Sequence, residues 1–213
     1  MYFEKFKFIK HAILIFIHTS YIQSIGITMT SLMSNDNIIV TLLSSDKNIT
    51  YIQYIMILEC SVMCLELVYY NVKNVIMSVH HGISILSLYM SFELFPQISS
   101  YILALHHVSD MLLNLAKVYQ YKKKHIEANF IFLLFIMSWN LTRLYLYPKF
   151  IYTCLYSIDN IQLLWGYSWF HDIYDFKHIE PYIWCSIIML SLLFIMHVYW
   201  TILIYKKFIN IFS

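Results

Sequence analysis

A chain of 213 residues that is 60% hydrophobic and only 12% charged lies far from the soluble domain, where about 45–50% apolar and about 25% charged residues are usual. Its net charge of +2 is too small for an electrostatic nucleic-acid surface, so no nucleic-acid partner is expected. The excess apolar residues fall in blocks, which predicts an all-α integral membrane protein, a single domain over residues 1–213 with the lipid bilayer as its surroundings.

A membrane helix needs about 20 mostly apolar residues, and six such segments follow one another near 7–28, 51–70, 75–94, 97–117, 128–147 and 182–205. The first starts late and carries His18 and Gln23, unlike the short apolar core of a cleaved signal peptide, so it reads as a retained span. In the second, Cys60 and Cys64 read as small buried hydrophobes, and Glu59 and Glu66 are left open, although Glu66 lies near an end where it can reach water. The third carries His80, His81 and Ser84; the fourth carries His106, His107, Asp110, Asn114 and Lys117. In the fifth, Arg143 lies sixteen residues in, where its stem can snorkel outwards. The long connection 148–181 is aromatic-rich, with Trp165, Tyr167, Trp169 and Phe170, and is expected along the membrane interface. In the last segment His197, like His18, reads as a hydrogen bonder between packed helices.

Lysines near span ends mark the cytosolic side. Lys5, Lys7, Lys10, Lys73, Lys117, Lys122, Lys123, Lys124, Lys206 and Lys207 fall on one side of a six-span arrangement, against Lys47, Arg143, Lys149 and Lys177 on the other. Both termini are therefore predicted cytosolic. Cys154 and Cys185 fall toward the lumenal side, where a disulfide is chemically allowed. Asn48-Ile49-Thr50 is a glycosylation sequon beside a span, whereas Asn140-Leu141-Thr142 lies inside one and is not expected to be modified.

An ionisable group at membrane depth costs at least about 2.5 kcal/mol, so it normally faces a protein interior and has a partner there. His80 and His81 lie five or six residues from the start of their segment, roughly 8–9 Å, and Asp110 lies seven residues from Lys117, roughly 10 Å. Both sets are thus expected in one layer of the cytosolic half, as a single site. Residues three and four apart share a helix face, so His106, His107, Asp110, Asn114, Lys117 and Tyr121 form one polar stripe, and Ser84 joins the histidine pair. Adjacent histidines point about 100° apart, so only one of His80 and His81 can aim at a common centre.

His80-His81 followed by the run from Leu105 to Tyr121, LHHVSDMLLNLAKVYQY, resembles the signature of the TLC domain of ceramide synthases: a histidine pair, then L-H-D-x-S-D-x-x-L-E-x-A-K-x-x-x-Y. Thr142-Arg143-Leu144 with Pro148, the tryptophan-rich stretch near 165–170 and the segment from His197 to Lys207 extend the resemblance to about residues 50–207. His107 stands where the signature has an aspartate, Asn114 where it has a glutamate, and Gln97-Ile98-Ser99 where an Arg-x-Gly is usual. The resemblance implies a TLC-type barrel or bundle of about six helices in the endoplasmic reticulum membrane. It further implies transfer of an acyl group from acyl-coenzyme A to a sphingoid-base amine, giving ceramide or dihydroceramide, with acyl-coenzyme A as co-substrate and no separate cofactor or metal. His80, His81, His107 and Asp110 are then the expected catalytic residues, and His106, Ser84, Asn114, Lys117 and Tyr121 the substrate-binding ones. Neutral imidazole suits either of two routes: taking the amine's proton beside Asp110, or accepting the acyl group first as an acyl-imidazole. Lys122, Lys123 and Lys124 would lie near the coenzyme phosphates. A homo- or heterodimer is compatible with this reading. Two others stand beside it: a non-catalytic TLC protein that binds lipid or assists a translocon, and a histidine-cluster metal enzyme of the desaturase type, although its H-x-x-H-H spacings are absent.

Overall fold

The computed structural model of the chain describes residues 49–69, 75–92, 96–156 and 176–212. The first expected span, His18, Asn48 and the four aromatic residues near 165–170 lie outside the described residues. Those described are helical, with no strand among them. They form α1 (Ile49–Tyr69), α2 (Val75–Ser91), α3 (Pro96–Tyr121), α4 (His125–Trp139), a π-helical segment (Asn140–Leu146), α5 (Tyr147–Tyr156) and α6 (Phe176–Phe212).

Local chemistry sets these boundaries. Pro96 opens α3, the position at which a missing N–H costs nothing. α3 closes in a tight turn: the amide of Lys124 donates to the Tyr119 carbonyl at 3.1 Å and that of Lys123 to Gln120 at 3.0 Å, with Lys123 left-handed at φ 59°. This is the helix-terminating pattern usually built on glycine. From His125 the chain stays helical to Tyr156, so the fifth span runs nine residues past its expected end, and the connection expected from 148 begins later. Within that run, the amide of Tyr147 reaches back five residues to Thr142, which is the π geometry. Pro148 lies just beyond; it has no amide to donate and its ring crowds the carbonyl four residues earlier, so the wider turn upstream accommodates it without a break.

By length and composition, two helical runs suffice to cross a membrane, His125–Tyr156 and Glu180–Ile211, each of 32 residues. α2, at 17 residues, is a shorter apolar helix. The outward-facing residues of α4 and the π segment include Ile126, Phe130, Met137, Leu141 and Tyr145. Water would disfavour so continuous an apolar face and lipid would not, which fits insertion in a membrane.

The described residues fall into two compact units. One contains Ile102–Pro148 and the end of α6 from His197; its core is Ala116, Ile131, Phe132, Phe135, Ile136 and Trp139, against which Trp200, Ile204 and Phe208 of α6 pack. The other contains α1, α2, the start of α3 up to Tyr101, α5 from Lys149 and α6 up to Met196. There Gln53 donates to the Phe92 carbonyl at 3.2 Å, Ser99 donates to Ser91, and Tyr101 packs on Phe150 with ring centroids 5.2 Å apart. Cys60, Cys64, Cys154 and Cys185 carry free thiols.

Candidate functional site

The unit holding α1 and α2 contains the histidine pair. Its α2 buries His81, Ser84, Leu88 and Ser91, a stripe at spacings of three, four and three that marks the inner face of the helix. His81 is 6% exposed, whereas His80 is turned about one residue around the helix and is half-buried, its ring centroid 5.5 Å from that of His81. Of the pair, His81 is therefore the inward-facing member. Its Nε2 lies 3.6 Å from Glu66 Oε2 on α1. Glu66, whose role was left open, thus faces a buried imidazole. Glu59, two turns earlier on the same face of α1, is also buried.

The other unit is organised around Arg143, which is 2% exposed. Snorkelling is overturned: the π segment directs the side chain inward, where its guanidinium makes bonds in three directions. Nη2 donates to both carboxylate oxygens of Asp110, at 3.2 and 3.3 Å, and to the His106 carbonyl at 3.1 Å. Nε donates to Ser109 Oγ at 3.3 Å, and Nη1 lies 3.1 Å from His197 Nε2. The Trp139 ring covers the guanidinium at 5.1 Å. A planar cation with five donors can occupy such a place, whereas an ammonium could not satisfy the same spread of acceptors.

The ring tautomers follow from these partners. Arginine has no acceptor, so His197 Nε2 must present its lone pair to Arg143. His106 Nδ1 lies 2.8 Å from the Ile102 carbonyl, which only accepts, so the proton is on that nitrogen. His106, His197 and Tyr147 pack as a trio of rings with centroids 5.0–5.6 Å apart. His197 is wholly buried, and its expected role as a hydrogen bonder between helices holds. Residues four apart on α6 repeat the pattern: Thr201 accepts from Trp139 Nε1 at 2.9 Å and Tyr205 accepts from Asn140 Nδ2 at 2.9 Å. Asn140, the asparagine of the internal sequon, is engaged there.

The expected polar stripe on α3 is broader than a line. His107 and Asn114, seven residues apart, are both buried, at 2% and 7%, while Asp110 is turned toward Arg143 with its side chain 39% exposed. Because α3 runs on to Tyr121, Asp110 lies eleven residues from the helix end, roughly 16 Å, while Lys117, from which its depth was counted, lies within the helix. Lys117 and Tyr121 follow further along α3, and Lys122, Lys123 and Lys124 are exposed in the turn. The structure thus brings Asp110 and His106 together with Arg143 and His197 in one unit, and His81 with His80, Ser84 and Glu66 in the other. Arg143, His197 and Glu66 were missed as members. The spacing His197, Thr201, Tyr205 is a sequence signal for the first two, since a polar stripe at every fourth position of an apolar helix needs partners. Among the described residues, no three or more His, Cys, Asp or Glu side chains converge as a metal-ligand set.

Among the described residues every element is helical, with two runs long and apolar enough to cross a membrane, and the buried His81 and His197 lie beside Glu66 and Arg143. The TLC domain family profile matches residues 7–206, and the chain belongs to that family. The match also takes in the first apolar segment, ahead of the stretch from about residue 50 on which the resemblance rested. Among characterised proteins the chain is similar to ceramide synthase LOH2 of Arabidopsis thaliana, 34% identical over 132 residues, covering 61% of this chain and 41% of that protein. It is similar to ASC1-like protein 1 of Oryza sativa subsp. japonica, 30% identical over 137 residues, covering 62% and 40%. It is also similar to ceramide synthase 4 of Homo sapiens, 30% identical over 131 residues, covering 60% and 29%. The aligned stretch spans about two-fifths or less of these relatives' own lengths. No solved structure matches the chain.

Proposed function

We propose that the chain is a ceramide synthase-like N-acyltransferase of the endoplasmic reticulum membrane, with six spans and cytosolic termini, that moves an acyl group from acyl-coenzyme A to the amine of a sphingoid base. The observation that carries this reading is His81: a signature histidine, 6% exposed, on the inner face of an apolar helix with a carboxylate 3.6 Å from its ring nitrogen. A buried imidazole so placed has the two capacities that acyl transfer needs, a lone pair and a neighbouring anion for the charge it acquires. The names of the relatives support the substrate class. His81 accepts the acyl group as an acyl-imidazole or takes the proton of the amine, with His80 and Ser84 beside it on α2; the α3 residues His106, His107 and Asn114 are assigned to substrate binding. Lys122, Lys123 and Lys124 attract the coenzyme phosphates. Asp110 is held by Arg143.

The test is turnover by purified protein in nanodiscs with acyl-coenzyme A of several chain lengths and dihydrosphingosine, read as dihydroceramide by mass spectrometry. Product that falls by about 10²-fold or more in His81→Ala and in Asp110→Asn, with the protein still folded, agrees with the proposal. No product at any chain length sinks it. One observation favours the non-catalytic alternative: two of the three signature carboxylates are replaced, by His107 and Asn114, and these two residues are buried. Saturable binding of ceramide or sphingoid base without turnover would establish that reading.

A further inference from the structure

The acyl-transfer reading leaves open which nitrogen of His81 reacts and what holds the ring, and α1 answers both. Glu66 lies outside the signature; of the three carboxylates the signature contains, Asp110 is retained and two are replaced, by His107 and Asn114. Yet its Oε2 lies 3.6 Å from His81 Nε2, the His81 side chain is 8% exposed, and that of Glu66 is 24% exposed. Glu59, seven residues earlier, lies buried on the same face, so α1 presents two acidic side chains along the line that α2 packs against.

We propose that Glu66 is the positioning residue for His81: its carboxylate, 3.6 Å from Nε2 and so at ion-pair and not hydrogen-bond distance in this structure, favours the proton on that nitrogen by charge attraction and leaves Nδ1 as the nitrogen that reacts. The chemistry of the pair dictates the assignment. A carboxylate only accepts, so the nitrogen facing it carries the proton, and in the neutral ring the lone pair is then on the opposite nitrogen. Orientation of a histidine by a carboxylate on its far side is the arrangement by which imidazoles are held for nucleophilic and basic work elsewhere. In the covalent route, the Nδ1 lone pair bonds to the thioester carbonyl carbon, the carbon–sulfur bond breaks, and coenzyme A leaves as its thiolate. The acyl-imidazolium so formed carries one positive charge, opposite the Glu66 carboxylate. The amine of the sphingoid base then bonds to the same carbon and the carbon–Nδ1 bond breaks. Its electron pair returns to the ring, and the surplus amine proton passes to the thiolate. In the base route, the same Nδ1 takes the amine proton directly.

This inference rests on the acyltransferase reading for its consequence but not for its measurement. Protein labelled with ¹⁵N-histidine in nanodiscs reports the tautomer of His81 directly, its resonances assigned by their loss in His81→Gln. The expected result is the Nε2–H form in the wild type and a shift toward the other tautomer or a mixture in Glu66→Leu, with Glu66→Gln, whose amide oxygen still accepts, closer to the wild type. Turnover is expected to fall about 10–100-fold in Glu66→Leu through kcat, with KM for the sphingoid base within about twofold, and to be partly restored by Glu66→Gln. A wild-type ring protonated on Nδ1, or a tautomer unchanged in folded Glu66→Leu, overturns the proposal whatever the activity. Should the wild type show no turnover at all, the acyltransferase reading fails while the spectrum still decides the role of Glu66.

Discussion

A guanidinium in a membrane is costly, and here one residue carries it with a defined set of partners. Arg143 bonds to Asp110, His197, Ser109 and the carbonyl of His106, so removing any one charged partner leaves the others facing an uncompensated group. The Asp110 and Arg143 substitutions are therefore expected to be strongly non-additive. Asp110→Asn and Arg143→Met should each destabilise the folded protein, and the double variant should be less unstable than their sum, with a coupling of about 1–3 kcal/mol in denaturant unfolding in mild detergent. Additive effects would show that the pair is not coupled. Part of this was visible beforehand: Asp110 and the histidines were legible as polar groups where lipid should surround them. The partner of Asp110 was not, because counting residues from the span start placed Arg143 at the far end, and no count reports which way a side chain turns. Glu66 was left open for the same reason, since nearness to a helix end does not say whether a residue faces water or a neighbouring imidazole.

Among elements, five of the six expected segments are helical, the first lying outside the described residues, and two of the five are long and apolar enough to cross a membrane; their limits agree best where apolar runs set them and least where polar chemistry does. α3 extends to Tyr121 because Lys117, Asn114 and Tyr121 are good enough helix members even though they end the apolar run. The helix from His125 continues through Pro148 because a π segment takes up the proline, a device that leaves no mark in hydropathy. The α3–α4 turn is legible in hindsight as three consecutive lysines, but its left-handed residue is Lys123, where glycine would be easier. Lys123→Gly is expected to raise the thermal midpoint of the purified protein slightly, by the equivalent of about 0.5–1 kcal/mol. A lowered midpoint would mean that the lysine side chain contributes something the backbone strain does not reveal. Shortening the π segment by one residue, for example by deleting the outward-facing Leu141, should return it to α geometry and turn Arg143 about 100° relative to the residues before the deletion. The expected outcome is loss of folded protein on size-exclusion chromatography, whereas Leu141→Ala should be tolerated.

For the whole chain, composition alone fixed the class, since lipid demands that backbone groups be satisfied within helices. The family was legible from the run between His80 and Tyr121, and its profile proves to extend over residues 7–206. What composition and motif left out is pairing between distant positions, because it is decided by helix rotation and not by the residue types themselves. One pairing has a consequence for how the protein is made. A ribosome delivers Asp110 first, Arg143 33 residues later, and His197 a further 54 residues after that. The short turn at Lys122–Lys124 lets α3 and the helix beginning at His125 enter the membrane as a hairpin, so the anion is already in place when the cation arrives. An arginine near the middle of a lone helix raises the cost of translocon insertion by about 2.5–3.5 kcal/mol. With Asp110 beside it, much of that cost is met before the last helix exists. In a glycosylation-mapping assay on nascent chains ending beyond Tyr156, Asp110→Asn should therefore lower the inserted fraction of the segment from His125, and His197→Ala in the full chain should leave it unchanged. Equal insertion with and without the aspartate would mean that the translocon admits the arginine unaided. On this view the order of residues along the chain is a timetable for membrane entry, with each charge introduced only after its counter-charge has been delivered.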